Sequence, residues 1–163
     1  MKHTLSRLAF RIVRLVNRVQ TRGYEVRLAE GEADLEQVWR LNYETYVKEL
    51  RQDHVSAEVA ASGLLPDKFR DTSVYVIAQH RGELVGMLAI TLPTGPFSIE
   101  ASLTDPSVLA GIRDQTVEFR RLAVKRTHRD KGVFLRMTDL ALQWGFGQGY
   151  RHAIMSALDT KMV

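Results

Sequence analysis

The stretch Val117-Glu118-Phe119-Arg120-Arg121-Leu122-Ala123-Val124-Lys125-Arg126-Thr127-His128-Arg129-Asp130-Lys131-Gly132-Val133-Phe134 carries two different periods. Alternation of apolar and charged residues predicts a strand over 115–125. Gly132 closes a basic turn, and apolar residues then recur at helical spacing to Gly147. A helix that starts at Gly132 presents unpaired N–H groups and the positive end of its dipole, so it can hold a phosphate. Arg129 and Lys131 would add charge there, and Gly132 would let the backbone approach closely. A plain connection with a solvated basic turn accounts for these residues equally well. On the strand, Glu118 is a candidate proton acceptor for an attacking amine, or else a structural partner of Arg120 or Arg121. Strict alternation separates Glu118 from Arg121, and a bulge would bring them together.

Upstream of this stretch, 73–79 and 84–92 read as strands joined at His80-Arg81-Gly82-Glu83, a hairpin signal. Pro93-Thr94-Gly95-Pro96 ends the second strand, because proline cannot donate to a ladder. Residues 97–115 read as a surface excursion. Residues 24–28 predict a short strand, and a helix runs from about Glu30 to Leu50. It contains Arg40, which could grip a carboxylate or pair with Glu36 or Glu44 at four-residue spacing. It also contains Tyr43 and Tyr46. A helix-prone stretch spans 56–64, and 151–157 reads as the last strand. The order predicts an α+β domain: a mixed, mainly antiparallel sheet flanked by helices, with the last strand parallel through a helical crossover.

The 163 residues suit one domain and carry no cysteine, which excludes disulfides, thiolate zinc sites and a cysteine nucleophile and suits a reducing cytoplasm. Five scattered histidines give no metal-ligand spacing, so no metal is expected. The net charge of +4 is uneven: residues 1–27 hold seven cations against Glu25 alone, so the rest of the chain is net negative. Within that segment, 5–20 has helical spacing with an apolar face (Leu5, Leu8, Ile12, Leu15, Val19) and an arginine stripe. Residues 1–22 are therefore expected to form a basic amphipathic helix ahead of a domain over 23–163. That helix packs on its own domain or a second subunit, or lies on an anionic membrane surface at the inner face. Nucleic acid is not expected, since Phe10 is its single aromatic and base stacking has no series to use.

Arg129-Asp130-Lys131-Gly132-Val133-Phe134 resembles the Arg/Gln-x-x-Gly-x-Gly/Ala motif of the GNAT acyltransferase superfamily. Arg121-Leu122-Ala123-Val124 resembles the end of that superfamily's donor-binding strand. Ile90-Thr91-Leu92-Pro93-Thr94-Gly95-Pro96 and Glu118-x-x-Arg121 are similar to stretches of the acyl-homoserine-lactone (autoinducer) synthases, and the set is most similar to the N-acyl amino acid synthases. The resemblance implies a GNAT fold and transfer of a fatty acyl group from an acyl carrier protein thioester to the amine of an amino acid. It puts the thioester carbonyl near the backbone of Leu122, Ala123 and Val124, and the donor phosphate on Arg129, Asp130, Lys131, Gly132 and Val133. It makes Glu118 and Arg121 the catalytic pair and places Arg40 and Tyr43 at the acceptor. Phe134 stands where the motif has a small residue, which favours the single phosphate of a carrier-bound phosphopantetheine over coenzyme A. Ile90 stands where the lactone synthases have arginine, which disfavours S-adenosylmethionine. The same resemblance leads to a further helix and strand pair after residue 157, so either the domain is a minimal variant or another chain or portion supplies that wall. Two alternatives keep the fold: an acyl-CoA-dependent transferase acting on a small amine, and a non-catalytic subunit.

Overall fold

The computed structural model describes residues 21–51 and 54–156. The expected helix over 5–20 lies outside them. Five strands form one sheet in the order β1 (Tyr24–Leu28), β2 (Ser73–His80), β3 (Glu83–Thr91), β4 (Thr116–Val124) and β5 (His152–Met155). The first four are antiparallel neighbours, and β5 runs parallel to β4. This is the mainly antiparallel sheet that the sequence predicts. The β2–β3 turn places Arg81 at φ 53° and Gly82 at φ 80°. Two successive positive φ angles make a turn whose twist matches that of the strands.

Helix α1 (Gly31–Asn42) continues into a π-helical turn, Tyr43–Glu49; α2 (Ala57–Ser62) is short; α3 (Val133–Gly147) links β4 to β5. Ser56 caps α2, its hydroxyl accepting from the Val59 amide, and Gly63 ends the helix at φ 65°. Strand alternation divides the core between the two faces. Val38 and Leu41 of α1 pack on Tyr75, Ile77, Met87 and Ala89, while Val133, Met137 and Ala141 of α3 pack on Val76, Leu88, Ile90 and Phe119. Ile77, Met87, Leu88, Ile90 and Met137 are each at most 1% exposed, a gain of about 1.5–3 kcal/mol apiece. Gly86 sets the approach of α3: a Cβ there would meet Met137 and Val133 at 3.1–3.2 Å. The base of α1 is tied to β1, since Arg27 donates to both oxygens of Asp34 at 2.5 and 3.0 Å. That bond, opposed by burial and aided by the Glu30 amide, holds Asp34 below its ordinary pKa.

Candidate active site

Strands β4 and β5 pair only from Thr116↔His152 to Phe119↔Met155. β5 ends at Met155, and among the described residues β4 continues for five residues beside a cleft of about 600 Å³ with no strand paired on that edge. On its other side β4 pairs with β3 through a register shift: Ala89 faces Arg120 and Met87 faces Ala123, so Arg121 and Leu122 together oppose Leu88. Arg121 carries the strain of this bulge at φ 51°, a left-handed conformation that costs an ordinary residue about 1–2 kcal/mol. The bulge reverses the alternation: Ala123 joins the α1 face that Arg120 occupies, and Val124 the α3 face.

Bonding on the open edge follows. The Lys125 amide donates to Val85 of β3, so alternation turns the backbone of Ala123 toward β3 and that of Leu122 and Val124 away from it, Leu122 at the cleft and Val124 at a second cavity ahead of α3. Two side chains confirm the direction: the Tyr46 hydroxyl donates to the Leu122 carbonyl at 2.9 Å, and Arg129 Nε donates to the Val124 carbonyl at 3.0 Å. Of the three residues expected to present amides, Leu122 and Val124 turn away from β3. Ala123 does not.

Glu118 is fully buried. It accepts from the Ser98 amide (2.6 Å), the Ser98 hydroxyl (2.7 Å) and the Ile99 amide (2.8 Å), and so fixes the start of the 98–102 turn. The structural alternative of a pair with Arg120 or Arg121 is corrected here. Arg120 instead donates from both Nη atoms to Asp67 (2.8 and 2.6 Å) and from Nε to Thr91 (2.6 Å). Burial pushes the Asp67 pKa up, but the Arg120 bonds and charge outweigh it and leave the carboxyl below its ordinary value. Arg121 lines the cleft with its guanidinium 4.8 Å from the centre of the Tyr46 ring.

The donor turn has its own cavity of about 420 Å³, walled by Val124, His128, Arg129, Asp130, Gly132, Val133 and Phe134. Asp130 (φ 61°) and Gly132 (φ 73°) curl the backbone ahead of α3. Lys131 is exposed beside it. Arg129, expected on the phosphate, is already engaged: it grips Glu49 with two bonds (2.6 and 2.7 Å), which straps the π-helical turn to the donor turn. The bonds raise the Arg129 pKa and lower that of Glu49. Phe134 walls both this cavity and the cleft, so the two meet at its ring. His128 accepts from or donates to the Tyr24 hydroxyl at 2.8 Å, with the His80 ring centred 5.4 Å away and tilted by 55°. Burial, then the charges of Lys131 and His80, lower its pKa.

Arg40 and Tyr43, expected at the acceptor, are placed elsewhere. Arg40 pairs with Glu36 at 2.8 Å and walls a separate polar cavity with Glu44, Glu83 and Lys125; the Tyr43 hydroxyl reaches the Ala60 carbonyl. The helix face that meets the cleft is one step further on, at Tyr46 and Leu50. Sequence reading missed Asp67, Lys68 and Ser98, all on loops and without a periodic signal. Among the described residues there is no cluster able to hold a metal, and no helix is long and apolar enough to cross a membrane.

No curated protein matches the sequence. The fold is similar to that of the CoA-dependent acyl-homoserine lactone synthase BjaI, solved with SAM and isopentyl-CoA: TM-score 0.64, 22% identity, 82% of this chain and 66% of that one. The chain thus spans just under two thirds of that synthase. It is also similar to the AHL synthase LasI (TM-score 0.61, 16% identity, 81% and 71%). A third likeness is to a ribosomal-protein-alanine N-acetyltransferase from Brucella melitensis biovar Abortus 2308 (TM-score 0.55, 18% identity, 84% and 82%). At these identities the likeness is one of fold. Residues 35–162 match the acetyltransferase (GNAT) family. With that match over most of its length, its bulged β4 and the basic turn ahead of α3, the chain belongs to that family.

Proposed function

We propose that this protein is an N-acyltransferase that moves a fatty acyl group from an acyl carrier protein thioester to the amine of an amino acid. The observation that carries the proposal is the edge of β4 left uncovered past the end of β5, beside the Arg121–Leu122 bulge, where Leu122 faces the cleft and Val124 the adjoining donor-turn cavity. A thioester carbonyl laid there receives backbone donors where negative charge develops. The acyl chain has Phe69, Leu88, Phe119, Phe134 and Met155 for company. The donor phosphate lies at Asp130, Lys131, Gly132 and Val133, with Arg129 available when it releases Glu49.

The amine attacks the carbonyl, a C–N bond forms, and the C–S bond breaks as the tetrahedral intermediate collapses. The nitrogen must lose a proton. Glu118 is sealed from the cleft, and of its three donors only the Ser98 hydroxyl can relay one: it passes its own proton to Glu118 as it takes the amine's. The departing thiolate takes the proton back along the same bond. Arg121 lines the same cleft and offers positive charge to the intermediate. An acidic carrier protein would meet the exposed Arg126 and Lys131 and the arginines of the N-terminal segment.

Incubation with long-chain acyl carrier protein and an amino-acid pool should yield N-acyl amino acids, and E118Q and S98A should each lower kcat by about 10²-fold. A wild-type protein that consumes acyl-CoA but leaves acyl carrier protein intact would reverse the donor assignment. The open donor-turn cavity favours this second reading, an acyl-CoA-dependent transferase. Loss of no measurable function in E118Q would favour a non-catalytic subunit.

A further inference from the structure

The cleft wall holds three cations, Lys68, Arg120 and Arg121, against one carboxylate, Asp67, among the described residues. Asp67 is committed. Its oxygens accept from both Nη atoms of Arg120, from the Tyr75 hydroxyl at 2.8 Å and from the Phe69 amide at 3.1 Å. Asp67 and Arg120 neutralise each other, and the adjacent Lys68 gains nothing from either. Lys68 has no ion pair among the described residues; its ammonium sits 4.9 Å from the centre of the Phe69 ring. Arg120 lies 4.4 Å from the same ring, so Phe69 is fixed by two cations and in turn steers the lysine.

We infer that Lys68 is the carboxylate anchor of the amino-acid acceptor, the group by which the cleft selects an α-amino acid over a simple amine. The inference rests on the acyl-transfer reading above. Lys68 lines the same cleft as the bulge, so an anchored carboxylate keeps its α-amine in the cleft that receives the thioester carbonyl. The cleft lining sorts the substrates by chemistry: acyl chain to Leu88, Phe119 and Phe134, carboxylate to Lys68. The donor phosphate does not compete for this lysine, because its turn lies on the far side of Phe134 in the neighbouring cavity.

Matched pairs test this: leucine against isoamylamine, and phenylalanine against phenethylamine, each with a long-chain acyl thioester. The wild type should favour the amino acid by roughly fivefold in kcat/KM, the scale of one partly screened ion pair at its upper end. K68A should abolish that ratio, with the loss in KM for the amino acid rather than in KM for the donor. K68R should restore most of it, and K68E should invert it toward the amine. Lys68 is exposed, so melting curves of the variants should overlay the wild type. Equal use of amino acid and amine by the wild type, or a ratio that survives K68E, overturns the inference and leaves acyl transfer standing. Acylation of neither partner overturns acyl transfer itself.

Discussion

Replacing Asp67 with Asn should remove more stability than any other single polar change in the described domain. The Asp67 and Arg120 side chains are 1% and 7% exposed, so water screens little of their interaction. The amide of D67N keeps the shape but loses the charge, and it turns two N–H groups toward positions that now receive Arg120 and the Tyr75 hydroxyl. A guanidinium left buried without its carboxylate costs about 3–5 kcal/mol. Folded domains hold only about 5–15 kcal/mol in total, so the loss is a large fraction. At about 2–4 °C per kcal/mol for a chain of this size, Tm should fall by roughly 6–20 °C. Urea unfolding followed by circular dichroism reads this directly as a lower midpoint at unchanged slope. The pH dependence gives a second check. Asp67 has its folded pKa below the ordinary 3.8, so its contribution is complete above that value and is lost as the pH falls through the folded value. This acid limb should be missing from D67N. A double change to D67L with R120M removes both charges and should recover part of the loss, the remainder reflecting a Tyr75 hydroxyl deprived of Asp67 and Thr91 and Ser73 reduced to their bond with each other. A cost for D67N below about 1 kcal/mol would show that the pair behaves like a surface contact, and the reasoning would fail.

E49Q should release Arg129 to the donor turn and tighten binding of 4′-phosphopantetheine by about two- to fivefold in calorimetry, the modest worth of a pair that is more than one third exposed. F134A should widen the passage between the two cavities and raise affinity for coenzyme A more than for 4′-phosphopantetheine, measured side by side. Y46F removes the bond to the Leu122 carbonyl and should cost about 0.5–1.5 kcal/mol in chemical denaturation, with a fall in kcat/KM because the bulge loses its brace. His128 has a folded pKa below 6.5, so the unfolded chain takes the proton first: stability should decline as pH drops below about 6.5, and H128Q should flatten that slope.

The strands and helices were legible because their residues alternate or recur locally. Tyr24–Leu28 appears as expected, and β4 and α3 differ from their predicted ends by a residue. The hairpin is written in Gly82, which accepts positive φ freely, and Arg81 follows it into the turn. The bulge was legible only as a condition, because Arg121 adopts its left-handed angle under the pull of β3 pairing and not from any preference of arginine. Site residues fared unevenly for the same reason. Gly132 declares its turn locally, whereas the Arg120–Asp67 pair joins residues 53 apart and the Arg129–Glu49 strap residues 80 apart. Arg40 misled because four-residue helix spacing to Glu36 was the stronger force on it.

The bulge in β4 and the π-helical turn at Tyr43–Glu49 each put one residue out of step with a regular lattice, and they touch, through the Tyr46 hydroxyl and the Leu122 carbonyl. Each irregularity therefore sets the phase that the other needs. Deleting one residue from either segment would swing its contact atom off by a strand face or by about 100° of helix, and only compensating deletions in both could re-establish the match. Descendants of this sequence can shorten these two segments together, or not at all.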